Sequence, residues 1–123
     1  ISFSIENSFF SSYVSFLTRE PSIYYVLALE DTIIERINYE SLQKAYSISG
    51  DHQKNGRKIA EQLYIKANQR TLSLITKTAE ERYIEFIEAY SRISQRIPQK
   101  YLASYLGITP VSLSRIRNKI MKS

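Results

Sequence analysis

Lys100, Thr109, Val111, Ser112, Ser114, Arg115, Asn118 and Lys119 are the residues of this 123-residue chain whose types and spacing suit chemistry, and that chemistry is recognition rather than bond-making. They gather hydroxyls, an amide and cations near the C-terminus, the side chains that meet the phosphates and base edges of a DNA duplex. Arg115 can donate in pairs to guanine O6 and N7. Val111 can meet a thymine methyl but cannot accept from cytosine N4 as a carboxylate would, Ser112 and Ser114 suit bases or phosphates, and Lys100, Thr109 and Lys119 suit phosphate positioning. The local charge is one-sided. Residues 1–91 carry ten basic and twelve acidic side chains, whereas the remainder carries seven basic and none acidic within a net charge of +5. A solvated face mixes signs, so this excess asks for a polyanion.

Other chemistries find no support. There is no Ser/His/Asp set, no glycine-rich phosphate loop and no carboxylate–histidine array, and the adjacent Glu80 and Glu81 belong to a helix cap, so the chain is not read as an enzyme. With no cysteine there is neither a disulfide scaffold nor a thiolate metal site. His52 stands alone among polar neighbours and is taken as a surface residue, so no metal is expected.

These recognition residues need two helices and a tight turn to position them. Gly107 can end the first helix, and Thr109-Pro110 starts the second as an N-cap followed by a first-turn proline. Leu102, Leu106, Leu113, Ile116 and Ile120 recur at helical spacing and form a shared apolar wedge, with Ala103 small where the helices cross. The pattern predicts a helix-turn-helix over 99–120, in which Arg117 is directed to the domain. Upstream, Thr78-Ala79-Glu80-Glu81 is a capping box opening a helix whose apolar face is Tyr83, Phe86, Ile87 and Tyr90. From about Gln53 to Ile75, Ala60, Leu63, Ala67 and Leu74 mark a seam at spacings of three, four and seven; a helix of that length is expected to pair with a second copy, the alternative being that the seam packs on the chain's own strands. From Ile1 to Asn38 the signals are β: Ile1–Ile5 alternates, and Tyr24–Leu29 and Ile33–Ile37 are aromatic and β-branched runs. The chain begins at Ile1 inside such an alternation and reads as cut from something longer.

With these pieces placed, the run from Glu81 to Ile120, with Arg82-Tyr83 in its linker helix and LASYLGITPVSLSR in its head, resembles bacterial Crp/Fnr-type transcription regulators. The resemblance implies an α+β fold in three parts: residues 1–50 as the end of a cyclic-nucleotide-binding-like β-roll, 51–76 as a dimerisation helix, and 77–123 as a mostly helical winged-helix-type domain. It further implies a homodimer that regulates transcription by placing its recognition helices, at about 110–120, in successive major grooves of a near-palindromic DNA site about 34 Å apart. It leaves room for RNA polymerase as a further partner. The family's cyclic-AMP-binding members carry a Gly-Glu pair and an Arg-Ser pair where this chain has Ser11-Ser12 and Ser22-Ile23. Arg19 would serve a phosphate only if the loop were rebuilt, so cyclic AMP is not expected to bind and the effector is unknown. No apolar run approaches the about 20 residues that span a bilayer, so no membrane partner is expected and the location expected is cytoplasmic. The competing reading is a protein-interaction or assembly module with a non-specific basic tail.

Overall fold

In the C-terminal third, two helices start on a threonine whose side chain satisfies an open backbone amide, and one stops on a glycine. In the computed structural model, which describes residues 1–123, the order is α1 (Tyr13–Thr18), α2 (Tyr39–Ile48), α3 (Gly50–Thr76), α4 (Ala79–Ala89), α5 (Gln99–Leu106) and α6 (Pro110–Met121). Thr78 and Glu81 form the capping box of α4: the Thr78 hydroxyl accepts from the Glu81 amide at 3.2 Å, and the Glu81 carboxylate accepts from the Thr78 amide at 2.7 Å. Thr109 caps α6 by accepting from the Ser112 amide at 3.2 Å, and Pro110 occupies the first turn, where it has no amide to waste.

Gly107 ends α5 at φ +71°. Its amide donates to the Ser104 carbonyl at 3.1 Å and the Ile108 amide to the Ala103 carbonyl at 3.0 Å, the paired bonds of a Schellman turn. A Cβ here would meet only ordinary contacts, with Leu74 Cδ2 at 3.6 Å, so the demand for glycine is one of backbone conformation. Gly107→Ala is therefore expected to destabilise this region by about 1–2 kcal/mol, measured by chemical denaturation, with no change in helix content at low denaturant.

Two compact units divide the chain, one comprising Ser4–Tyr64 and the other Ile1–Phe3 with Ile65–Ser123, so the division falls inside α3. The second unit has a core. Leu102, Leu106 and Leu113 are wholly buried, and Ala103, Phe86, Ile93 and Ile97 close around them. Phe3 joins this cluster through Phe86 and Tyr105, with ring centroids at 6.0 and 5.3 Å. The chain between α4 and α5 winds through turns that bring Ile93 and Ile97 inward before Pro98 starts α5. Ile116 and Ile120, expected in the wedge, are only half-buried.

In the first unit, α1 ends on Arg19 in the left-handed region, and Arg19 pairs with Glu40 at 3.0 Å while lying 4.5 Å from the Tyr39 ring centroid. Asn38 caps α2 by accepting from the Ser41 amide at 2.8 Å. The Tyr46 phenol closes on α3 at Gly56, where a Cβ would make the ring shift. From Ser4 to Tyr64 no side chain is buried.

The structure overturns the α+β reading. It has no strand, hence no β-roll in residues 1–50 and no wing in the C-terminal unit. The Crp/Fnr resemblance fails with it, as does the Crp/Fnr-type sequence-specific regulator with a degenerate cyclic-nucleotide pocket, because the roll that would enclose a pocket is missing. The runs Tyr24–Leu29 and Ile33–Ile37 are present as extended or irregular backbone without a ladder, and Tyr13–Thr18 is helical. The reason is physical: β-branched and aromatic residues favour a pleated, half-buried surface, but a strand exists only where a neighbour takes its amides and carbonyls. No helix is long and apolar enough to cross a membrane.

Candidate functional site

Two surfaces stand out, the outer face of the α5–α6 pair and the length of α3. On the first, Gln99 ties the start of α5 to the start of α6 by donating to Ser114 Oγ at 2.8 Å and to the Pro110 carbonyl at 3.4 Å. The Ser114 hydroxyl is therefore already engaged, as are those of Thr109 and Ser112, which are 3.1 Å apart. Val111, Ser114, Arg115, Asn118 and Lys119 lie exposed, Ser112 half-buried, and exposed Lys100 holds its ammonium 4.8 Å from the Tyr101 ring centroid. The candidate residues on α6 thus share one helix with an open outer face.

Not every cation there is unpaired. Lys119 Nζ sits 2.6 Å from Glu80 Oε2 in the first turn of α4, and the Arg117 guanidinium lies 5.9 Å from the Tyr83 ring centroid. Both tie α6 to α4, as expected of Arg117 but not of Lys119. The Lys119–Glu80 pair is exposed, so it is weak and open to exchange for another anion.

Along α3 none of the 27 residues is buried. Of the seam, Ala60 and Leu63 are half-buried while Ala67 and Leu74 are exposed. Tyr64 and Ile75 fall on the same side by helical spacing and are 72% and 75% exposed, so these two apolar side chains stand largely open to solvent. The Leu74 side chain also reaches toward the Gly107 turn, so its seam role is shared with packing inside its own unit.

Sequence reasoning missed what two arginines hold. Arg70, from α3, donates through Nη2 to the Tyr105 carbonyl, and its guanidinium carbon stands 3.9 Å from the Tyr105 ring centroid. Arg82, from α4, donates to the Leu106 carbonyl through Nε at 3.0 Å and Nη2 at 2.7 Å, and through Nη1 to the Lys77 carbonyl. Burial, reinforced by nearby Arg82 and opposed by Tyr105, pulls the Arg70 guanidinium below its usual pKa, and burial likewise pushes the Tyr105 phenol up. No local pattern announces these contacts, which join residues 35 and 24 positions apart.

Two carboxyls nearby titrate low. Hydrogen bonds from the Thr78 amide and then its hydroxyl hold Glu81 below the ordinary carboxylate range, and Lys77, with a smaller part from Ser73, does the same for Glu85. A carboxyl whose folded pKa is depressed contributes stability above its unfolded pKa and loses it as pH falls through the folded value. The thermal midpoint of the chain should therefore drop on acidification below the ordinary carboxylate range. Glu81→Gln and Glu85→Gln should each lower the midpoint at neutral pH and flatten its dependence in acid, as read by circular dichroism melts across pH.

Comparison with family models, with characterised proteins and with solved structures returns no match.

Proposed function

We propose that this chain is a helical interaction module that self-associates through α3 and carries a basic helix-turn-helix unit holding duplex DNA by its phosphate backbone, without choosing a sequence. The observation that carries the reading is the exposure of α3: no residue of this 27-residue helix is buried, and Tyr64 and Ile75 are 72% and 75% exposed. A helix that long spans about 40 Å, and its alanines at 60 and 67 leave room for a second helix to approach closely. The unburied side chains from Ser4 to Tyr64, with Ile23 at 87% and Ile33 at 99% exposure, support the same reading, since extended exposed apolar surface marks sites of association.

The basic unit supports the second half of the proposal. After Glu88 the chain has no acid, and the open face of α6 offers Arg115 beside short polar side chains. Ser114 Oγ and Ser112 Oγ accept within the protein and each keeps an O–H to donate, which suits phosphate oxygens. In this reading Arg115 and Lys100 meet phosphates, and Lys119 can leave Glu80 for one.

Sedimentation over a range of protein concentrations, combined with titration into two unrelated duplexes at about 50 and about 200 mM salt, tests both halves. A dimer insensitive to salt is expected, with similar affinity for the two duplexes that falls steeply between the two salts. A monomer at every concentration would overturn the self-association. A strong preference for one duplex would overturn the unselective contact, and no retention of either duplex would overturn the DNA partner.

A further inference from the structure

The carbonyl end of α5 has a complete hydrogen-bond account, and two of its four partners are side chains of other helices. The last four carbonyls of a helix have no partner within it. Here Ala103 and Ser104 are served by the Ile108 and Gly107 amides, Tyr105 by Arg70, and Leu106 by two nitrogens of Arg82. Two guanidinium groups thus stand at the negative end of the α5 dipole, where cations stabilise. Both also reach back to α3: Arg70 belongs to it, and Arg82 donates to the Lys77 carbonyl immediately beyond its last turn. The turn that follows α5 and presents α6 is therefore fastened to α3 at two points.

We infer that Arg70 and Arg82 are positioning residues which hold the Gly107–Ile108 turn in its left-handed form and, resting on the function proposed above, make the presentation of the α6 face depend on the end of α3. Neither residue is on the exposed α6 face. Each acts through the carbonyls it holds. The guanidinium fork is the chemical requirement, because one planar group must donate in two directions. Arg82 joins two carbonyls of different elements, and Arg70 donates along its plane while stacking on the Tyr105 ring. Lysine carries the charge but has neither the plane nor the fork.

The test is amide hydrogen exchange on the full chain without any ligand, for Arg70→Ala, Arg82→Ala and the corresponding lysine variants, with duplex titration on the same proteins. The Gly107 and Ile108 amides should exchange about ten- to a hundredfold faster in both alanine variants, the factor that losing a hydrogen bond to a charged donor implies. The Phe86 and Leu102 amides should change much less, and lysine should restore only a small part of the protection. Duplex affinity should also fall several-fold, although the α6 face keeps all its cations. Equal acceleration at every amide would overturn the inference, since that is a loss of global stability alone. Full rescue by lysine would also overturn it, as would unchanged exchange at Gly107 and Ile108. Failure of the wild-type chain to hold a duplex would sink the DNA partner instead, and would leave the exchange pattern to decide the positioning role.

Discussion

Leu102→Ala is expected to destabilise the Ile65–Ser123 unit by about 3 kcal/mol, within the range of about 2–5 kcal/mol seen when a buried leucine is truncated. Leu102 has no exposed surface, and it lies in the cluster formed by Leu106, Leu113, Ala103 and Phe86, so the cavity left behind has walls from three helices. Small units are marginal, with total stabilities of about 5–15 kcal/mol at most sizes. A loss of that order should lower the midpoint by about 12–24 °C in a unit this small. The chain has no tryptophan, so tyrosine fluorescence and far-ultraviolet circular dichroism are the readouts. Leu102→Met, which keeps the volume, should cost less than about 1.5 kcal/mol. If the alanine and methionine variants melted alike, the packing described for α4, α5 and α6 would be wrong.

Ala67→Glu is expected to separate the proposed self-associated form into single copies. Ala67 is exposed in the single chain, and glutamate is a good helix former, so the substitution should leave helix content intact. In an association through α3 the two copies would bring their carboxylates toward one another where alanine allowed close approach. Desolvating like charges without a partner costs several kcal/mol, so self-association should weaken by at least about 30-fold, the factor equivalent to about 2 kcal/mol. Sedimentation over a concentration series reads the change. Association unaltered by Ala67→Glu would remove α3 from the interface.

What was legible in the sequence is what neighbouring residues decide among themselves. Thr78 and Glu81, Thr109 and Pro110, and Gly107 announced their caps and turn because each satisfies backbone groups within a few positions. The apolar spacing of Leu102, Leu106 and Leu113 likewise marked side chains that are fully buried. The β reading failed at Tyr24–Leu29 and Ile33–Ile37 because a strand depends on a partner that local composition does not supply. A resemblance carried by Glu81–Ile120 drew the N-terminal half into a β-roll that its own backbone does not form. The outer face of α6 was legible as a set of residue types, but not the Lys119–Glu80 pair or the Gln99 link, which depend on how helices pack. Arg70 and Arg82 escaped for the same reason, since their acceptors are carbonyls far along the chain and carry no mark in the sequence.

The absence of cysteine makes one measurement especially direct. A single thiol placed by Ala67→Cys, and in a separate protein by Gln69→Cys, reports which side of α3 faces a second copy under mild oxidation, because two residues along a helix turn the side chain by about 200°. Self-association through the Ala60–Leu74 seam predicts a covalent dimer from Ala67→Cys and little from Gln69→Cys. Cross-linking from Gln69→Cys alone, or from neither variant at concentrations well above those of the sedimentation series, would contradict the claim that α3 joins two copies of this chain.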